Sequence, residues 1–162
     1  MKSGIRNTLF RTVVDSPLGA IALESDGQLL TGLCFDTSLQ GVESGCVEGV
    51  SLPIFDMTRR WIDIYFSGCN PDFTPPFAMR GTEFSMAVWR KLIEIPYGQT
   101  VTYGELARKV GCRSAQAVGR AVGQNKILLV VPCHRVIGAN GMLTGYSGGL
   151  ERKRRLLDLE NC

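Results

Sequence analysis

The chain has 162 residues, of which 44% are hydrophobic and 20% are charged, and these globular values exclude a largely disordered chain. Its net charge of +3 is uneven, because residues 1–79 hold 5 Lys or Arg against 9 Asp or Glu, whereas residues 80–162 hold 13 against 6. The charge of the basic half indicates an anionic partner, of which nucleic acid is the leading candidate. A merely solvated basic surface explains the same charge about equally well.

Neither a membrane protein nor a secreted protein is indicated. No apolar run reaches the length of a membrane span, and the opening residues carry charges where a signal peptide needs an apolar core. The six cysteines contain no CxxC pair, so we interpret them as reduced, mostly buried thiols. With one histidine and no glycine-rich phosphate loop, the sequence predicts a cytoplasmic protein with neither metal nor cofactor.

The first half predicts a small antiparallel sheet followed by one helix. Residues 11–35 alternate apolar and polar side chains and contain two turn-forming stretches, which indicates about three strands. Residues 36–50 lack periodicity and are interpreted as a loop, and the three prolines of residues 69–80 indicate an extended linker. Between them, a helix is predicted from Pro53 to Ser67. Its apolar face is assigned to core packing by Ile54, Thr58, Trp61, Ile62, Tyr65 and Phe66.

The second half predicts mainly helices. An apolar stripe over residues 84–93 has helical spacing, and Thr102 and Glu105 have the spacing of a capping box that starts a short helix. A second short helix, rich in Ala and Gly, follows over residues 114–125. In a basic context this pair is a helix-turn-helix candidate, although a helical hairpin inside an enzyme fits the pattern equally well.

The chain closes with a predicted strand, loop and helix. Residues 127–131 are β-branched and leucine-rich, as in a buried strand. Residues 145–149, GYSGG, indicate a flexible loop with polar side chains. The final helix is amphipathic, and its basic run Arg152 to Arg155 is assigned to a solvated face. Its apolar side is predicted to carry Leu150, Leu156, Leu157 and Leu159.

Cys133 and the only histidine, His134, are adjacent beyond the apolar run 127–131. A cysteine there is by default a small buried hydrophobe. Three neighbours favour a reactive thiolate instead, because histidine activates thiols, Pro132 interrupts a strand, and Arg135 adds charge that lowers a thiol pKa of about 8.5. Adjacent residues of a strand point to opposite faces, which leaves open how the pair would share a proton.

These residues also carry a family resemblance. PCHRVIG at 132–138, with GTEFSMAVW, IPYGQTVTYGELA and AVGRAVGQN upstream and TGYSGG and LLDLE downstream, resembles the O6-alkylguanine-DNA alkyltransferases over residues 81–160. The resemblance implies an α/β protein with a small N-terminal RNase H-like α/β domain at 1–79. A mainly helical C-terminal domain with a winged helix-turn-helix would follow at 80–162. It also implies a monomer that acts on double-stranded DNA containing alkylated guanine, without a cofactor; O4-alkylthymine stays open as a second substrate.

The implied chemistry is direct-reversal DNA repair, in which the alkyl group of O6-alkylguanine moves irreversibly to Cys133, once per molecule. The resemblance implies that His134 reaches the thiol through a bound water and that Glu160 holds His134. Asn125 would brace the helix-turn-helix against the acceptor segment. Tyr103 would help to rotate the target nucleotide and would donate a proton toward the guanine ring.

The resemblance also implies a base pocket and a DNA-binding surface. The pocket would consist of Val136, Tyr146, Ser147 and Gly148. The DNA-binding residues would be Tyr103, Ala115, Gln116, Ala117, Arg120 and Arg135. The family usually has an arginine at the place of Gln116, where it fills the gap left by the extruded base, so we expect weaker DNA binding here.

Two other classes of function stay open. A Cys–His hydrolase with an acyl-enzyme intermediate would use the same pair, although adjacency disfavours direct proton transfer between them. A non-enzymatic winged-helix protein that senses lesions would use the same basic helices, although such sensors lack the acceptor cysteine. Turnover with Cys133 regenerated would indicate the hydrolase, and DNA binding without a mass change on Cys133 would indicate the sensor.

Overall fold

The computed structural model describes residues 8–35 and 46–161, and it confirms the predicted mixed α/β fold. The sheet has four strands, β1 (Phe10–Val14), β2 (Ile21–Ser25), β3 (Leu30–Phe35) and β4 (Val47–Glu48). The first three form the predicted antiparallel meander, and β4 pairs parallel to β1, giving the order β3-β2-β1-β4. The predicted loop at 36–50 lies mostly outside the described residues.

Helix α1 (Pro53–Phe66) begins and ends where the sequence predicts. Proline suits its first position because the N–H that proline lacks would have no partner there. The buried face of the helix packs in the core, where the rings of Trp61 and Tyr65 stack with centroids 5.3 Å apart. The linker that follows lies against β3, since Phe77 forms a parallel bridge with Leu30.

The remaining elements are α2 (Glu83–Ile93), β5 (Val101–Thr102), α3 (Tyr103–Lys109), α4 (Ala115–Gly123), β6 (Val136–Ile137) and α5 (Leu150–Glu160). The predicted capping box of α3 is confirmed, because Glu105 N donates to Thr102 Oγ1 and Thr102 N donates to the Glu105 carboxylate. Within the two described ranges, no helix is long and apolar enough to cross a membrane.

The strand predicted at 127–131 is wrong, because this segment is a series of tight turns in which Leu129 has φ +68°. The Asn125 amide closes them by donating to Val131 O (2.9 Å) and accepting from Ile127 N (2.9 Å). All five residues of the segment are buried, which explains their apolar character. Burial without a period does not distinguish a buried strand from a packed turn.

The basic run of α5 differs from its predicted solvated face. Arg154 and Arg155 are exposed, but Lys153 is fully buried and Arg152 is half-buried. Leu150, which was predicted on the apolar side, is 48% exposed. The helix therefore directs two of its four cations inward, toward groups that a charge pattern does not reveal.

Candidate active site

Cys133 lies in a short 3-10 turn, Cys133–Arg135, rather than on a strand. Successive side chains of such a turn diverge by roughly 120°, so the two residues do not point to opposite faces. Cys133 is 3% exposed and His134 is fully buried. The expectation of mostly buried thiols is wrong, because Cys133 is the only buried one of the five cysteines that the structure describes, and Cys34 and Cys69 are exposed.

The carboxylate of Glu160 is the centre of a buried hydrogen-bond network. Its Oε1 accepts from His134 Nε2 (2.7 Å) and from the Tyr65 hydroxyl (2.7 Å). Arg135 donates to both oxygens, from Nε to Oε2 and from Nη2 to Oε1, each at 2.9 Å. The backbone N–H of Gly98 donates to Oε2 (3.2 Å). The carboxylate is thus satisfied by five donors, as a buried charge requires.

This network sets the protonation states of its members. Burial opposes ionisation of Glu160, but the hydrogen bonds from His134 and Arg135 outweigh it and lower the pKa of the carboxyl to about 2. Burial lowers the pKa of His134, against the opposing effect of Glu160, so the imidazole is neutral at neutral pH. Because Nε2 donates its proton to Glu160, Nδ1 is an acceptor, and it has no hydrogen-bond partner within the described residues.

The thiol of Cys133 is protonated at rest. Burial raises its pKa to about 11, although a hydrogen bond with Asn125 and the charge of Lys153 act in the opposite direction. The expectation that positive charge brings this pKa toward neutrality is therefore wrong, because burial outweighs the charge of Lys153. Because the thiolate is the nucleophile, the site needs a base that removes the proton when a substrate is in place.

Lys153 is a component of the site that sequence reasoning missed. Its ammonium group donates to the carbonyls of Val136 (2.5 Å), Thr144 (3.0 Å) and Gly145 (3.4 Å). Burial lowers its pKa, and the neighbouring Cys133 raises it. A lysine inside a run of four cations carries no mark that separates it from its solvated neighbours, so the pattern could not identify it.

Two tyrosines of the predicted site lie near the thiol. The Tyr103 hydroxyl donates to Thr144 O (3.0 Å), and the buried Tyr146 hydroxyl has no partner within the described residues. Burial is the largest cause that raises the pKa of both phenols, and a charge on Cys133 raises it further. Of the other pocket residues, Gly148 is buried next to Tyr146, Val136 is buried, and Ser147 is exposed.

The predicted DNA-binding residues separate into two groups. Ala115, Gln116 and Arg120 are exposed on α4, where Ala117 is half-buried. Arg135 is not with them, since it is 8% exposed and also donates from Nη1 to Ile95 O (2.7 Å). The prediction that Arg135 contacts DNA is therefore wrong, because its guanidinium is committed to Glu160 and to this carbonyl.

Cys133 lines neither of two cavities that the described residues form. One of about 280 Å³ is lined by Arg11, Trp89 and Asn125, and Cys133 does not line it. Within residues 8–35 and 46–161, no three His, Cys, Asp or Glu side chains converge as metal ligands would.

Comparison with known proteins identifies the family. Residues 83–162 match the family model "6-O-methylguanine DNA methyltransferase, DNA binding domain". A methylated-DNA–protein-cysteine methyltransferase of Mycobacterium tuberculosis is 44% identical over 93% of this chain and 91% of its own length, and one of Methanosarcina acetivorans is 41% identical over 94% and 98%.

Solved structures agree with these relatives. The crystal structure of Mycobacterium tuberculosis O6-methylguanine methyltransferase is similar at a TM-score of 0.87 and 40% identity, over 95% of this chain and 93% of that one. The same organism's OGT in complex with DNA is similar at a TM-score of 0.86 and 40% identity, over 94% and 92%. With this identity over nearly the whole length, the chain belongs to the methylated-DNA–protein-cysteine methyltransferase family.

Proposed function

We propose that this protein repairs double-stranded DNA by moving the alkyl group of O6-alkylguanine to Sγ of Cys133. The proposal depends on one observation. In a chain of this family, a buried thiol lies next to a neutral histidine that is hydrogen-bonded to a carboxylate. In the reaction, Sγ attacks the alkyl carbon, an S–C bond forms and the C–O6 bond breaks. The electron pair of that bond stays on the guanine, which takes up a proton and is restored.

The proposed route of the proton runs from the thiol to His134. Nδ1 of His134 is the free acceptor, and a water between it and Sγ would connect groups that are not themselves bonded. The positive charge that develops on the imidazole is stabilised by Glu160, which its low pKa keeps ionised. Glu160 is thus a positioning and charge-stabilising residue, and His134 is the general base.

Each molecule should react once. A thioether has no electrophilic carbonyl, so water does not release the alkyl group as it releases an acyl group from a thioester.

The pocket residues have roles in the same proposal. Tyr146 offers a ring face to the extruded base, Ser147 a hydroxyl, and Tyr103 a proton toward the guanine ring.

The DNA surface is proposed to centre on α4. Its exposed face carries the small Ala115 beside Gln116 and Arg120, which lets the backbone approach a groove closely. The division into domains at 1–79 and 80–162, the winged helix-turn-helix and the monomeric state are parts of the same proposal. Cys133, His134 and Glu160 come from one chain, which supports a monomer as the active species.

A mass measurement tests the proposal directly. Incubation with a duplex containing O6-methylguanine should add one methyl group to the peptide that contains Cys133, and the yield should saturate at one per protein. The Cys133→Ser protein and an undamaged duplex are the controls. Binding of the damaged duplex with no mass change would support a sensor, and hydrolysis of thioester probes with Cys133 regenerated would support the hydrolase.

Gln116→Arg should strengthen DNA binding, because one added cation near the phosphates releases about one more counterion. We expect the slope of log Kd against log salt to steepen by about one unit and transfer at low DNA concentration to become faster. Gln28→Arg adds the same charge in the exposed turn between β2 and β3, and it should change neither. Equal effects of the two variants would show that only net charge matters.

A further inference from the structure

One side chain ties the base-pocket loop, residues 145–149, to the N-terminal sheet. Arg152, in the first turn of α5, donates from Nη1 to the carbonyl of Gly148 (3.1 Å). The same guanidinium donates from Nε to the carbonyl of Leu18 (2.8 Å), in the turn between β1 and β2. The planar guanidinium has several donors in a fixed geometry, so one residue bridges two carbonyls from opposite halves of the chain.

The surroundings of this guanidinium are closely packed. It lies 4.7 Å from the ring centroid of Phe35, a 5% exposed residue at the end of β3. A Cβ atom at Gly148 would lie 2.9 Å from Phe35 and 2.7 Å from the Tyr146 ring, so only glycine fits there. A Cβ atom at Gly19 would lie 3.0 Å from Nη2 of Arg152. The loop and the arginine therefore rest directly on the sheet.

The same strand also supports the other side of the acceptor. Leu33 of β3 donates its backbone N–H to Lys126 O (2.9 Å), and its carbonyl accepts from Leu128 N (2.9 Å). These bonds hold the turns that precede Cys133. Strand β3 thus contacts the segment before the thiol through its backbone and the segment after it through Phe35 and Arg152.

We propose that Arg152 is a positioning residue for alkyl transfer, an inference that rests on the proposed function. By joining Gly148 to Leu18, it fixes the base-pocket loop on the N-terminal sheet and thereby holds Tyr146 beside Cys133. The proposed pocket requires this loop to hold one geometry around the base. An anchor at the Gly148 end defines that geometry, while Tyr103 and Lys153 hold the Thr144 end.

This assignment differs from that of a phosphate-binding arginine. The donors of Arg152 already serve two carbonyls and its face covers an aromatic ring, whereas Arg154 and Arg155 are exposed in the same basic run. It also gives the N-terminal half, which carries no catalytic motif, a role in the chemistry. The acidic half of the chain then acts on the reaction through the Leu18 carbonyl and the Phe35 ring, in addition to the hydrogen bond of Tyr65 to Glu160.

The test compares Arg152→Gln with Arg154→Gln in the full-length protein. For Arg152→Gln we expect the transfer rate at saturating O6-methylguanine duplex to fall about 10- to 100-fold, as for a reacting pair displaced by about an ångström. The Kd for the same duplex should stay within about twofold, because no phosphate contact is lost. Transfer from free O6-methylguanine base should fall equally, because that substrate uses the loop but needs no DNA. Arg154→Gln should leave the saturated rate unchanged.

Arg152→Lys is the conservative variant for this test. It keeps the cation over Phe35 but cannot donate to both carbonyls in the same geometry, so we expect a rate between those of wild type and Arg152→Gln. Gly19→Ala should also slow transfer, because the added Cβ atom would lie 3.0 Å from Nη2 of Arg152 and displace it. Gly49→Ala also places an alanine at a positive φ (+74°, against +112° at Gly19), but its Cβ atom would have no atom within 4 Å, so this variant should not slow transfer.

The possible outcomes separate the two proposals. Wild-type protein that leaves Cys133 unmethylated would refute the proposed function and this inference with it. Wild-type transfer with an unchanged saturated rate in Arg152→Gln and Arg152→Lys would overturn only the positioning role. A raised Kd for the duplex together with unchanged transfer from the free O6-methylguanine base would likewise overturn it, because Arg152 would then act on DNA binding.

Discussion

Glu160→Gln should slow methylation of Cys133 by at least about 100-fold, the lower end of what a positioned general base contributes. The NH2 group of the glutamine faces the Arg135 Nε–H and Gly98 N–H donors that Oε2 accepts, which lowers stability. The carbonyl oxygen of the glutamine still accepts hydrogen bonds from His134 and Tyr65, so the imidazole keeps its partner. It carries no charge, however, to stabilise the imidazolium that forms as the thiol loses its proton. Single-turnover mass spectrometry at saturating damaged duplex measures this rate.

The same variant should be less stable by about 3–5 kcal/mol, because the buried guanidinium of Arg135 loses its counter-charge. A second variant, Glu160→Gln with Arg135→Met, removes both charges and should regain most of the stability while transfer stays slow. Chemical denaturation and the transfer rate therefore separate the two roles of the carboxylate. Recovery of the rate along with the stability would mean that Glu160 supports the fold alone.

The pH dependence of stability has a definite sign. The pKa of Glu160 is about 2 in the folded protein against 4.5 when it is free, so its ionisation stabilises the fold above about pH 4.5. That contribution is lost as the pH falls from 4.5 toward 2. The burial that lowers the pKa of His134 acts in the same direction, since protonation favours the unfolded chain below about pH 6.5. Glu160→Gln should abolish the loss of stability between pH 4.5 and 2, and it should keep the loss below about pH 6.5 that His134 causes.

Local rules were enough to predict most elements of the fold. Pro53, the capping box of Thr102 and Glu105, and the turn residues of the meander are short-range devices, and the helices and strands that they predict are confirmed. The error at 127–131 has a different origin. The Asn125 side chain takes over bonds that a neighbouring strand would otherwise make, and a sequence does not show which partner a buried backbone group chooses.

Long-range partners explain what the sequence missed in the site. Tyr65 was correctly assigned to the core from its spacing, but its hydroxyl bonds to a residue 95 positions away. Lys153 and Arg152 look like members of a solvated run until the backbone brings carbonyls to them. The pairing of His134 with Glu160 was expected from the family resemblance alone, since spacing along the chain does not predict that the last helix returns to the thiol.

Asn125→Ala should destabilise the protein by about 2–4 kcal/mol, because it leaves the buried Ile127 N–H and Val131 C=O without the bonds that the amide makes. It should also slow transfer, since the amide hydrogen bond favours the thiolate of Cys133. Gln99→Ala is the matched control, because this amide is exposed, and its effect should stay within about 0.5 kcal/mol. Denaturant titration and single-turnover transfer provide the two measurements.

Asn125→Asp distinguishes the structural role of this amide from its electrostatic role. The new carboxyl group still accepts a hydrogen bond from Ile127 N. We therefore expect Asn125→Asp to destabilise the protein less than Asn125→Ala at a pH where that carboxyl group is protonated. When ionised, it places negative charge beside both Val131 O and Sγ of Cys133, which opposes formation of the thiolate. The pH–rate profile of Asn125→Asp should therefore lie at higher pH than that of Asn125→Ala. Coincident profiles would mean that the amide holds the turns in place without acting on the thiol, and the nucleophile would then depend on His134 and Lys153 for its charge.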